Sequence, residues 1–268
     1  MEECEGRLEK GAEYVDYLQA QQEEMAAEIA MLKKSQRLEQ PEREALAWIQ
    51  TGRLELNLHN WTNAHQAFDT AKRYVKAHHH REWGAILAGY SRICQNTNKL
   101  DHAYQYALQS LEHYANAKWM WAVQAMLSNL GAVCIEKSNR FTSKNPSKEH
   151  VWLTRAAQHL EHCTTLCDTS GIGTESAACE INLGHVNRRL GQTDLARGWL
   201  DRAYHLAVRA GNQFDLAMTH AETAELELQT GNKNTAITSL ETALELYQCI
   251  NHEAQTRVTR NRLEEVQR

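Results

Sequence analysis

A fixed order of small, apolar and polar positions recurs along this chain. In "GQTDLARGWLDRA", residues 191–203, Gly191 is followed by Ala196, Leu200 and Ala203. Forty residues later, "GNKNTAITSLETA" (231–243) repeats the order with Gly231, Ala236, Leu240 and Ala243. The same frame holds Ala64, Phe68 and Ala71 in "HNWTNAHQAFDTA" and Ala103, Ala107 and Ser110 in "NKLDHAYQYALQS". It also holds Ala156, Leu160 and Cys163 in "TRAAQHLEHC". Steps of four and three residues place these positions on one stripe of a helix. Upstream of each stripe lies a second small residue: Gly52, Ser91, Gly131, Gly184 and Ala224.

Each unit therefore predicts a helix, a short turn and a second helix. A glycine inside a helix costs about 1 kcal/mol relative to alanine, so Gly184 predicts a close approach of the paired helix. Gly191 ends the first helix, as glycine commonly does just past a C-terminus. Four of the upstream small residues precede their paired alanine by twelve positions, but Gly131 precedes Ala156 by twenty-five. The third unit thus carries an insert at about 136–151, polar and slightly basic, read either as part of a binding face or as a surface loop.

Five units in one frame, with "NLG" at 129–131 and 182–184, resemble the tetratricopeptide repeat. The forty-residue spacing is most similar to the repeats of kinesin light chains and of bacterial MalT-like sensor regions. The resemblance covers about residues 42–250. It implies an all-α, right-handed α-solenoid of about five helical hairpins with flanking N- and C-terminal helices. It also implies binding through a concave surface made by successive first helices.

Outside the array the pattern changes. Leu8, Val15, Leu18, Met25, Ile29 and Leu32 follow a heptad, with Gln22 in the seam. Two readings fit residues 1–40: a coiled coil that makes a homodimer, or an amphipathic helix that caps the first unit. Pro41 marks the break. Residues 41–252 form the expected array, and 253–268, with sparse Val258, Leu263 and Val266, form a capping helix.

Charge and composition narrow the function classes. The 268 residues include two prolines and seven cysteines, and the formal net charge is −5. Residues 1–40 hold ten acidic and five basic side chains, so the array itself is balanced. Without a basic surplus, nucleic acid is not an expected partner. No stretch approaches the roughly 20 apolar residues of a membrane span, and "MEECEGRLEK" lacks the pattern of a signal peptide. A cytoplasmic chain with reduced thiols is expected, with no membrane partner.

No catalytic signature emerges, so no enzyme activity and no cofactor is expected. "SGIGTES" (170–176) has a GxG but no preceding strand. "HLEHCTTLC" sets His159, Cys163 and Cys167 on one helical face, a spacing open to a metal, yet Cys163 already fills the small-residue slot of its helix, and no metal site is assigned. Three adjacent histidines in "AHHHRE" (77–82) point in different directions and suit a helix end or a pH response.

The register predicts the residues of the groove. The candidate partner-binding set is Arg53, Asn57, Arg92, Asn96, Asn129, Asn182, His185, Arg188 and Arg189. Four arginines on one surface suit bidentate recognition of carboxylates, and the asparagines can hold an extended backbone. Ile49 stands where the carboxylate-clamp pattern of chaperone-binding repeats has lysine. The expectation is a scaffold or adaptor that binds an acidic or extended segment of a protein or peptide. The alternative is a sensing module in which a small ligand or peptide controls an output protein.

Overall fold

A computed structural model describes residues 41–171 and 176–268. The heptad segment, with the dimer read from it, and the middle of the 170–176 connector lie outside the described residues. Among the described residues there are eleven α-helices and no strand. They are α1 (Pro41–Asn57), α2 (Trp61–Lys72), α3 (His80–Asn96), α4 (Leu100–Asn116) and α5 (Met120–Asn139). After these come α6 (Pro146–Ser170), α7 (Ala178–Arg189), α8 (Thr193–Ala210), α9 (Gln213–Gln229), α10 (Lys233–Cys249) and α11 (Glu253–Gln267). One compact unit extends to Lys137 and a second runs from Ser138. Within them α1 packs on α2, α3 on α4, α7 on α8 and α9 on α10, with α11 against α10.

The repeat frame is the core. Every stripe position named above, from Ala64 to Ala243, is exposed by 3% or less. Phe68 shows how the slot works. A Cβ on Gly52 of α1 would lie 2.7 Å from its ring, and one on Gly89 of α3 would lie 2.3 Å away, so the ring fills two glycine notches at once. A Cβ on Gly184 of α7 would lie 2.6 Å from Leu200 of α8. Where the slot holds serine, the hydroxyl ties the helices together. Ser91 Oγ donates to the Ala103 carbonyl at 2.9 Å, and Ser110 Oγ donates to the Gly84 carbonyl at 2.7 Å.

One turn repeats inside four of the hairpins. Gly191 (φ +76°) and Gly231 (φ +84°) occupy the left-handed region. The N–H of the residue after each closes back onto the helix: Gln192 donates to Asn187 at 2.9 Å and Asn232 to Glu227 at 2.8 Å. His59 (φ +58°) and Asn98 (φ +61°) adopt the same turn without glycine, at a cost of roughly 1 kcal/mol each. Asn60 and Lys99 then close the equivalent bonds onto Glu55 and Cys94.

At the insert, the additional residues lengthen helices rather than form a long loop. α5 continues to Asn139 and α6 starts at Pro146 with Asn145 as its N-cap, its side chain accepting from the Lys148 N–H at 3.0 Å. Only residues 140–145 are left as connection.

The notch at Gly184 is directly testable. Gly184→Val should destabilise the chain by about 2 kcal/mol through overpacking. Combined with Leu200→Ala, it should cost clearly less than the sum of the two single changes in urea unfolding. Strict additivity would show that the two positions do not share the slot.

Candidate functional site

In the amino-terminal unit, α1, α3 and α5 build a cavity of about 300 Å³. Arg53 and Leu56 enter it from α1, Ala85, Ala88, Gly89 and Arg92 from α3, and Trp121, Ala122, Ala125 and Met126 from α5. Small residues on α3 make the space, because Ala85, Ala88, Gly89 and Arg92 share one helical face. Tyr114 at the end of α4 and Trp119 in the following turn complete the wall.

The chemistry of this wall is mixed. Tyr114 meets Trp119 edge to face at 5.4 Å, and Trp119 lies 6.4 Å from Trp121, which is 57% exposed. The Arg81 guanidinium sits 5.5 Å over the Trp119 ring. Burial pushes the Tyr114 phenol up to about 12, with the Arg53 charge pulling the other way. Arg53 is exposed and makes no ion pair among the described residues. Arg92 is exposed, and its Nη1 donates to Asn57 Oδ1 at 3.4 Å.

The predicted asparagines of this unit already have partners within the chain. Asn57 accepts from Arg92, and Asn96 Nδ2 donates to the Arg92 carbonyl at 2.9 Å. Asn129 Nδ2 donates to Gln95 Oε1 at 3.4 Å, and its Oδ1 accepts from Ser91 at 3.4 Å. Arg53 and Arg92 are thus the predicted residues that line the cavity, while Asn57 orients one of them.

The carboxy-terminal unit treats its predicted cations differently. Asn182, His185, Arg188 and Arg189 all lie on α7 and all are half-buried. His185 Nδ1 lies 3.1 Å from both oxygens of Glu222 on α9, and Arg188 Nη2 lies 3.4 Å from Glu222 Oε2. Burial alone would raise the Glu222 pKa, but His185 and Arg188 outweigh it and hold the carboxyl below its ordinary value. Arg189 donates to Asn139 at 2.5 Å, to Thr142 at 2.9 Å and to Glu149 at 2.5 Å. The expectation of four open arginines is therefore corrected: two of them are neutralised within the chain. The reason is local: α9 places Glu222 beside α7, and the extended α6 carries Glu149.

Sequence periodicity did not reveal Trp119, Trp121, Tyr114 or Met126. The clue available was "KWMW" (118–121), two tryptophans at a turn where the frame assigns no face. The other candidate chemistry resolves locally. His80 Nδ1 lies 3.0 Å from His113 Nδ1, so one ring donates to the other, and burial with His80 nearby lowers the His113 pKa. Among the described residues no three His, Cys, Asp or Glu side chains converge to hold a metal ion. No described helix is long and apolar enough to cross a membrane.

The Glu222 cluster sets a pH dependence. Its folded pKa lies below the unfolded value, so its ionisation contributes stability that is present above the ordinary glutamate range and lost as pH falls through the folded value. Glu222→Gln should cost about 2 kcal/mol at neutral pH, because His185 and Arg188 lose their counter-charge. The variant should also show a flatter decline of stability below the ordinary glutamate pKa. Equal acid limbs in denaturant unfolding would rule out this linkage.

No protein-family model matches the sequence, and no curated protein matches it. Solved structures do. The chain is similar to TTC0263, a tetratricopeptide-repeat protein of Thermus thermophilus, with a TM-score of 0.57 and 16% identity over 83% of this chain and 98% of that one. It is similar to BtubC (BKLC) from P. vanneervenii, with a TM-score of 0.61 and 14% identity over 87% and 90%. It is also similar to the apo form of RapI, with a TM-score of 0.66 and 12% identity over 99% and 97%. Together with the repeating hairpins, these matches show that the chain has the tetratricopeptide-like fold, an all-α solenoid.

Proposed function

We propose that this protein is a non-catalytic recognition module, a scaffold or adaptor, that holds an acidic segment of a protein partner against its amino-terminal unit. Arg53 and Arg92 take the carboxylates. The wall of Trp119, Trp121 and Met126 takes an adjacent large apolar side chain. The observation that carries the reading is the pairing of two exposed guanidinium groups with an exposed tryptophan around one cavity. Arginine forks match carboxylates, and an aromatic anchor in a shaped pocket is the usual source of interface energy.

The contrast with α7 supports this choice. Arg188 and Arg189 have found carboxylates within the chain, whereas Arg53 has none among the described residues. A guanidinium left in water beside an apolar wall is available to a partner at little desolvation cost. The cavity, at about 300 Å³, matches a side chain or two rather than a large cofactor.

Fluorescein-labelled peptides alternating Asp or Glu with Trp or Leu provide the test, with lysine-substituted peptides as controls. The acidic set should bind, and binding should weaken as salt rises. Arg53→Ala/Arg92→Ala should lower affinity about tenfold or more with unchanged helicity by circular dichroism. The charge-matched pair Arg257→Ala/Arg260→Ala should leave it unchanged. Equal affinity of both double variants would reject the groove as the recognition site.

A further inference from the structure

In four units the slot that closes the second-helix stripe holds Ala71, Ser110, Ala203 or Ala243, and in the third it holds Cys163. Packing there needs only a small side chain, so the thiol brings chemistry that the fold does not require. Its Sγ lies 3.0 Å from Sγ of Cys179, in the first turn of α7. That separation is hydrogen-bond contact between two sulfurs, and about 1 Å of further approach would make a covalent bond. We propose that Cys163 and Cys179 are an oxidation site, at which exchange with a low-molecular-weight disulfide such as oxidised glutathione forms a bond that staples α6 to α7.

A second feature holds the two sulfurs in register. Arg202 of α8 donates to Asp168 at 2.5 and 3.0 Å, and through Nε to Glu180 at 3.2 Å. Asp168 follows Cys167 on α6, and Glu180 follows Cys179 on α7. One guanidinium therefore clamps the ends of the two helices that carry the thiols, on either side of the 171–176 connection. The pair is organised by a charged contact outside the apolar slot, independently of the packing that buries Cys163.

Burial assigns the order of steps. Cys163 is fully buried, while Cys179 is 8% exposed and Cys167 is 9% exposed. Cys179 meets the oxidant: its thiolate attacks one sulfur of oxidised glutathione, forming a mixed disulfide and expelling glutathione thiolate, which takes up the proton. Cys163 then loses its proton, attacks the Cys179 sulfur and releases the second glutathione. Two cysteine thiols give up two hydrogens and two electrons, and one glutathione disulfide becomes two thiols. The hydrogen bond with Cys179 and burial hold Cys163 in its thiol form, so the exchange is slow, and the resulting buried disulfide is shielded from reductant.

The test uses the full chain, reduced, desalted and incubated with oxidised glutathione, then alkylated and cut after glutamate. Cleavage after Glu161, Glu175 and Glu180 separates peptide 162–175, with Cys163 and Cys167, from peptide 176–180, with Cys179. Mass spectrometry should find these two peptides joined through Cys163, with the loss of two hydrogens. The closed loop is short, and the oxidised chain should melt about 5 °C or more above the reduced chain. Cys163→Ala, which carries the residue other units use in the slot, and Cys179→Ser should each fold and lose both signals, whereas Cys167→Ser should keep them. A join through Cys167, a glutathione adduct that persists on Cys179, or no change in mass would each overturn the assignment.

Discussion

The close approach of paired helices is the constraint on which the structure depends. A backbone notch on one helix must accept a side chain from the next, and both partners must appear in every unit for the array to continue. Phe68 makes this visible: it sits in the notch of Gly52 within its own hairpin and in that of Gly89 on the following helix. The same ring thus joins a unit internally and passes contact to its neighbour. In solenoids the stability is a sum of such unit and neighbour terms, because no distant segment closes a common core. Leu200 against Gly184 plays this part later in the chain, and Ala224 with Leu240 plays it without glycine.

Once helix spacing is settled, the exposed edges of the first helices are free to carry other residues, and there electrostatics decides what each arginine does. On α7 the charges face carboxylates supplied by α9 and by the extended α6, and the resulting pairs are partly buried. Such pairs hold the helices in register, and little charge is left to attract a ligand. Around α1 and α3, no carboxylate among the described residues pairs with Arg53, and the Arg92 guanidinium donates to the neutral Asn57. In the amino-terminal unit, Arg53 and Arg92 share the lining of one cavity with Trp119 and Trp121.

The third unit departs most from the others, and its differences are connected. Lengthened α5 and α6 supply Asn139 and Glu149 to Arg189, and the short connection between them supplies Thr142. The same α6 carries Cys163 and Asp168, which meet α7 directly and through Arg202. Extra helix length has been used to tie α6 to the helices after it, by ion pairs at one end and by sulfur and a guanidinium clamp at the other.

By itself the sequence determined the repeat: the hairpin units, the buried stripe, and the small residues opposite it. These were legible because they follow from short-range periodicity, since a helix puts every third or fourth residue on one face whatever lies around it. Gly184 and Gly191 could be assigned different roles for the same reason, one within the period and one at its end. Tertiary structure alone decided which arginines remain open, because Glu222 lies thirty-four positions from Arg188 and Glu149 lies forty before Arg189. It also decided that Trp119 and Trp121 wall a cavity and that Cys163 meets Cys179. Charge pairing and sulfur contact depend on distances across helices, and a periodicity along one helix holds no information about its neighbour's side chains.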